Sequence, residues 1–561
     1  MKIQFYKFLF FCVCPLLMQA QQSGYELTRA DSLMGQLTIE RYAYDVTYYE
    51  IDIEVFPDEM AIAGRVDMTF DVKHTFDRMQ IDLDGRLTID SILIEGKRLA
   101  FTRDERAVFV QIPRLIAGNQ HTLRVHYRGR PKTAVNPPWD GGMIWSKSNN
   151  DKHWIAVACQ GEGASVWWPC KDHLIDEPDS VTMHITVGDG LVAVSNGRLR
   201  ETTERADNKK TYTWHVSYPI NIYNVTMNIG DYVHFTDEHV YASGDTLPLH
   251  YYVISYNLDR ARRHFKQVHG VLEAFYHYLG PYPFIGDTYK LIETPFLGME
   301  HQSAIAYGNL YRRGYLGQGI PRDMDFDYII LHESGHEYFG NALSATDLAD
   351  MWLHESFTTY LESLYVEYHM DYAAAMRYLR FQRPFITNKN PIIGRRGFNW
   401  YKKISSTDQY YKGAWVLNTL RHMLNDDDAW WHLFYHFFHT YKFRPVLSED
   451  FFDFASGYFP IDLYPFFCQY LYSTSIPRLE ARLKRNSNNI QITYQLKNIE
   501  EACADLAIPY HIDVDGHRIS LLLEAGQKTI TIPLFGSGDI QWPEDQYLID
   551  LAITDKKKKK Q

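Results

Sequence analysis

The sequence predicts a multidomain α+β protein in three parts: an antiparallel β-domain, a mainly helical domain, and a small C-terminal β-domain. Three observations carry that order. Tyr49-Glu50-Ile51-Asp52-Ile53-Glu54-Val55 alternates apolar and acidic residues strictly, as a half-buried strand requires. Phe265, Val268, Leu272, Phe275 and Leu279 fall at helical spacing, and Gly280-Pro281 ends the run. After Ile476-Pro477 the alternation returns, with Ile490, Ile492, Tyr494 and Leu496 on one face.

Residues 1–20 read as an export signal. Lys2 and Lys7 supply the positive end, Phe8 to Met18 form an apolar stretch interrupted by Pro15, and Ala20 is a small residue for cleavage, although Met18 is a poor partner for it. The stretch is short for a membrane span, and a buried N-terminal helix is the competing reading. Phe11-Cys12-Val13 ahead of Cys14 make a poor lipidation signal. The expectation is cleavage near Ala20 and export to the periplasm or exterior. No later segment reaches 18 consecutive apolar residues, so no span is expected in the mature chain.

Residues 21–236 are assigned to the β-domain. Val66, Met68, Phe70 and Val72 repeat the alternation, and runs around Leu87 to Ile94 and Thr182 to Val194 fit further strands. Residues 237–474 are assigned to the mainly helical domain and 475–555 to a small β-sandwich-like domain. The lysine-rich end, 556–561, reads as a solvated tail. At 561 residues the chain exceeds what one core organises. A hydrophobic content of 45% argues against large-scale disorder, and a formal charge of −12 argues against nucleic acid as a main partner. Cleavage leaves Cys159, Cys170, Cys468 and Cys503. The first two are close enough to pair, and two free buried thiols are equally compatible. None has CxxC spacing, which argues against a cysteine-based metal site.

His332-Glu333-Ser334-Gly335-His336 is an HExxH motif in a helical stretch. Residues i and i+4 share a helix face, so both imidazoles can reach one cation, and Glu333 can act as general base on the attacking water. Catalytic zinc takes three protein ligands and leaves one position open. Glu355 follows His336 after 18 intervening residues, a separation that suits a second helix beside the first. A histidine six residues after His336 would indicate a different subclass, and that position is Ala342.

HExxH with a glutamate at this distance resembles the gluzincin zinc aminopeptidases, the family of aminopeptidase N and leukotriene hydrolase. The resemblance extends to Leu297-Gly298-Met299-Glu300-His301, similar to the family's Gly-x-Met-Glu-Asn exopeptidase motif but with Leu297 for the first Gly and His301 for Asn. It includes Cys159-Gln160-Gly161-Glu162-Gly163-Ala164, where Gln160 takes the position of a second amine contact, and Tyr410-Tyr411-Lys412-Gly413, similar to Tyr-x-Lys-Gly. Phe339-Gly340-Asn341 and Gly280-Pro281-Tyr282-Pro283-Phe284 are lesser matches.

The resemblance implies a thermolysin-like catalytic domain behind the β-domain, in a short form without the large C-terminal helical domain of longer members. It implies one zinc ion per chain on His332, His336 and Glu355, Glu333 as general base, and Tyr410 as donor to the oxyanion. Gly298, Met299, Glu300 and Gln160 would bind substrate, the last two holding the α-amine of a peptide with a free N-terminus. The expected function is a zinc aminopeptidase. A non-catalytic peptide-binding protein on the same fold and a zinc endopeptidase are the alternatives, and the oligomeric state is open.

Overall fold

The computed structural model describes residues 26–399, 406–534 and 536–555. The segments read as export signal and lysine tail lie outside the described residues.

The N-terminal part is built on an eight-stranded sheet. Its strands run, in spatial order, Arg198–Glu204, Lys209–Val216, Ser180–Gly188, Tyr44–Phe56, Ala61–Val72, Gln120–Gly129, Leu87–Ile94 and Lys97–Arg98. In Tyr44–Phe56 the predicted alternation places Tyr49, Ile51, Ile53 and Val55 in the core and turns Glu50, Asp52 and Glu54 outward. The sheet departs from the antiparallel expectation at one seam, where Tyr48 to Glu54 pair in parallel with Ser180 to Thr186. A parallel neighbour needs a long return connection, and a whole three-stranded sheet and two strands of a four-stranded sheet lie in that interval. The apolar run 182–194 also divides, its two halves entering different sheets as Ser180–Gly188 and Val192–Ser195.

A five-stranded sheet comes next, in spatial order Tyr232–Val240, Thr246–Ile254, Tyr289–Glu293, Ile305–Tyr307 and Gly298–Met299. Neighbouring residues along these strands enter different cores. Tyr251, Val253, Leu291, Ile305 and Tyr307 pack among the helices. Tyr252, Ile254, Ile292, Ala304 and Ala306 pack against the N-terminal β-domain. A sheet covered on both faces has no polar side and reads as continuous apolar sequence. For that reason the inner strands Tyr289–Glu293 and Ile305–Tyr307 left no alternation to read. The sequence-based boundary at 236/237 cuts the partly exposed edge strand Tyr232–Val240, whereas the change of sheet falls at Asp231.

Helices cover the other face. The helix Gln267–Leu279 stops at Gly280, whose φ of 84° a glycine adopts without strain. Tyr328–His336 starts at Asp327, whose carboxylate accepts from the backbone N–H groups of Ile329 and Ile330. Trp352–His369 is buried from Trp352 to Leu364, the mark of a central helix enclosed on all sides.

The C-terminal part has a four-stranded and a three-stranded sheet. Ile490, Ile492, Tyr494 and Leu496 are all buried along Asn489–Lys497. Their core is continuous with that of the helical domain, so the two parts form one packed unit. A disulfide, Cys468 to Cys503, staples the last helix of the helical domain, Tyr464–Leu471, to the turn Glu501–Cys503. Cys159 and Cys170 are buried and not joined to each other, and the Cys159 thiol donates to the Tyr223 carbonyl oxygen at 3.2 Å.

Candidate active site

The helices Tyr328–His336 and Trp352–His369 bring three donors together. His332 Nε2 and His336 Nε2 lie 3.1 Å apart, and Glu355 Oε2 lies 3.6 Å from the first and 3.3 Å from the second. All three residues are buried. The opposite nitrogen of each ring faces an acceptor: His332 Nδ1 lies 2.7 Å from Glu362 Oε1, and His336 Nδ1 lies 3.0 Å from the Phe339 carbonyl oxygen. With both Nδ1 protons so engaged, both Nε2 atoms present lone pairs to one point. Glu355 Oε2 is buried there without a hydrogen-bond partner among the described residues. Three converging lone pairs without a cation repel one another. A tetrahedral ion with bonds of about 2.1 Å would set its donors about 3.4 Å apart, close to what is seen. The His₂Glu donor set therefore fits zinc.

Electrostatics around this point favour positive charge. Burial works against the charged form of Glu355, but His336 and His332, when protonated in place of a bound cation, outweigh it and hold the carboxyl below the ordinary range. Glu333 lacks such direct pairing, and burial pushes its carboxyl up to about 8 against the pull of His332. It stands beside the edge strand: a Cβ at Gly298 would meet Glu333 Oε1 at 2.8 Å. Glycine at this position lets the strand approach the carboxylate.

Glu300 follows that edge strand and is buried. Its Oε1 accepts from Gln160 Nε2 at 2.7 Å and from the Tyr223 hydroxyl at 3.0 Å. Gln160 Nε2 also lies 3.2 Å from Glu355 Oε1, which ties the β-domain loop to the metal-ligand helix. Glu162, the other acidic candidate in that loop, is engaged elsewhere by Arg106 and Lys132. Asn341 Nδ2 donates to the Glu300 carbonyl oxygen at 2.8 Å, which gives Phe339-Gly340-Asn341 a positioning role. The departure at His301 is fully buried. Neither ring nitrogen has a partner among the described residues, and burial pushes its pKa down to about 3, so it is neutral. Met299 is placed differently from its sequence assignment. Its side chain packs in the β-domain core, so this position offers a substrate its backbone alone.

Tyr410 precedes the helix Tyr411–Leu424, and its ring stacks on His332 with centroids 6.0 Å apart. A Cβ at Gly413 would fall 1.6 Å from Ser356 Oγ. Ser356, next to Glu355, donates from that oxygen to the Gln409 carbonyl at 2.6 Å. Gly413 thus permits the contact that holds Tyr410 in register with the metal-ligand helix. Lys412 points away, its ammonium donating to the Ser473 carbonyl oxygen at 2.9 Å.

Sequence reasoning missed Glu362 and Tyr223. Glu362 lies two helical turns beyond Glu355 on one face, a spacing that could have flagged it. Its Oε2 accepts from Tyr378 and Gln382 at 2.6 and 2.9 Å. Tyr223 comes from the short turn Ile222–Asn224 in the β-domain, and no sequence pattern links it to Glu300.

Residues 46–223 match the Peptidase M1 N-terminal domain and residues 271–468 the Peptidase family M1 domain. The chain is similar to aminopeptidase B of Homo sapiens, at 26% identity over 49% of this chain and 42% of that protein. It is also similar to probable aminopeptidase 2 of Sulfurisphaera tokodaii, at 21% identity over 83% of this chain and 60% of that one. The chain thus spans about half the length of these curated relatives. An M1 zinc metallopeptidase from Deinococcus radiodurans, solved with a bound Tyr-Ser-Ala substrate, shares the fold with a TM-score of 0.62. The match has 22% identity and covers 77% of this chain and 94% of that one.

Loss of the carboxylate charge behind the hydrogen bond that fixes the His332 ring should weaken metal binding. Glu362→Gln should lower zinc affinity by about 10- to 100-fold in a chelator competition. Unchanged affinity would restrict Glu362 to packing.

Proposed function

The chain belongs to the M1 peptidase family, and on that basis we propose that it is a zinc-dependent aminopeptidase that releases residues one at a time from the free N-terminus of peptides. The observation that carries this reading is the convergence of Glu300 and Gln160 from two domains, 2.7 Å apart and tied through Gln160 to the ligand Glu355. A carboxylate at this place suits a protonated α-amine. An internal chain segment would bring an uncharged amide there and leave Glu300 buried without a counter-charge, which disfavours an endopeptidase. A purely binding protein has no need of Glu333 and Tyr410 beside the same point.

His332, His336 and Glu355 would hold the metal. When bound, zinc supplies Lewis-acid polarisation of a carbonyl and a lowered pKa for water at its open position. Glu300 and Gln160 hold the ammonium of the first residue and so place the first peptide bond beside Glu333. Glu333 accepts a proton from the attacking water as the new C–O bond forms. It then delivers that proton to the departing nitrogen as the C–N bond breaks. The Tyr410 hydroxyl donates to the carbonyl oxygen as negative charge develops on it, a contribution typically worth about 3 kcal/mol of barrier.

The experiment is hydrolysis of free and N-acetylated aminoacyl amides, with and without a chelator. Turnover of the free-amine series alone, lost on chelation and restored by zinc, is the expected result. Glu333→Gln should abolish turnover with metal content retained, and Tyr410→Phe should lower kcat by about 100-fold with little change in KM. Cleavage of the acetylated series at equal rate would overturn the proposal.

Export to the periplasm or exterior is part of the same proposal. The Cys468–Cys503 disulfide supports it, since such bonds persist in oxidising compartments. The exported chain should begin at Gln21 on N-terminal sequencing. A chain retaining Met1 in the cytoplasmic fraction would contradict export.

A further inference from the structure

The helix Arg29–Gly35 lies ahead of the β-domain match and crosses to the catalytic domain. A Cβ at Gly35 would meet the Phe398 backbone at 2.4 Å, and Asn399 N–H donates to the Asp31 carbonyl oxygen at 3.0 Å. The helix is anchored from below by the buried Arg41, which donates to the Met34 carbonyl oxygen at 2.7 Å and pairs with Asp82. It is a strap pinned at both domains.

Beneath the strap is a small, mostly apolar cavity walled by Met34, Leu174, Ile222, Tyr223, Leu348 and Phe398. Two of its lining residues, Tyr223 and Gly161, connect it to the amine anchors. Tyr223 reaches Glu300 through its hydroxyl, and Gly161, also in the lining, follows Gln160 in the chain. Leu348 precedes the helix that carries Glu355. Two carboxylates border the cavity, and both are engaged by backbone. Asp172 accepts from Ala164 and Ser165, and Asp347 accepts from Ala349 and Gly397. Neither requires a basic guest. Met34, Gly161 and Asn399 also line a second, charged cavity bordered by Glu105, Arg106 and Glu162. The strap is therefore the partition between an apolar cavity at the amine anchors and a charged one outside.

We propose that the strap Arg29–Gly35 determines specificity: Met34, which lines the cavity beside Gly35 where the strap meets Phe398, closes the pocket that receives the side chain of the substrate's N-terminal residue and restricts it to small and medium apolar groups. The proposal rests on the aminopeptidase reading, because only an anchored α-amine places that side chain beside Tyr223 and Gly161. The side chain leaves the carbon that bears the amine, so its pocket must begin where the amine anchors end.

The test compares the full mature chain with Met34→Ala and Met34→Trp on alanine, leucine and tryptophan amides. Met34→Ala should raise kcat/KM for the tryptophan amide over the leucine amide by about tenfold, and Met34→Trp should lower leucine over alanine by about the same factor. Ser32→Ala, on the strap but facing away from this cavity, should leave both ratios unchanged. An active enzyme whose ratios stay put in both Met34 variants overturns the role of the strap and leaves the aminopeptidase reading intact. A wild-type chain inactive on every free-amine amide overturns that reading and the strap proposal with it.

Discussion

Two imidazole nitrogens and a carboxylate oxygen, all buried and all presenting lone pairs to one point, set the constraint on which the rest of the site depends. Such an arrangement costs several kcal/mol unless a positive charge occupies the point. Everything adjacent holds the three donors in place despite that cost. Glu362 and the Phe339 carbonyl engage the outer ring nitrogens, and Gln160 engages the other oxygen of Glu355. Glu333 and Glu300 are further carboxylates in the same enclosed space, and their charge becomes tolerable when the cation is present.

The five-stranded sheet converts this local arrangement into a site shared by two domains. One face packs on the helices that carry the metal ligands, and the other packs on the β-domain that supplies Gln160 and Tyr223. Its edge strand, Gly298–Met299, ends at Glu300 and passes so close to Glu333 that only a glycine fits. The proposed general base and amine anchor are therefore spaced by the backbone of one strand. On the third side, Gly413 lets the helix behind Tyr410 touch Ser356, one residue from the ligand Glu355. Each glycine in these motifs is a point of contact between elements, which explains why the motifs carry more information than their polar residues alone.

Much of this was legible in the sequence because its signals are local. Strand alternation in Tyr44–Phe56 and Asn489–Lys497, the helix stop at Gly280, and the i, i+4 spacing of His332 and His336 need no knowledge of distant residues. The resemblance supplied what spacing could not, and the structure brings Glu355, Glu300, Gln160 and Tyr410 to one place. What escaped was non-local or two-faced. The inner strands of the central sheet, Tyr289–Glu293 and Ile305–Tyr307, are buried on both sides and so lack alternation. Tyr223 meets Glu300 only through tertiary packing, and Met299 sits in a motif while its side chain belongs to the core. The pairing of Cys468 with Cys503, rather than Cys159 with Cys170, follows from where the last helix docks on the C-terminal sheets.

The most direct measurement of the central claim is X-ray absorption at the zinc edge on the purified mature chain. The account predicts one zinc per chain, with two imidazole nitrogens and carboxylate or water oxygen at about 2.0–2.2 Å and no sulfur neighbour. A sulfur shell near about 2.3 Å, or a folded chain that takes up no zinc, would contradict it.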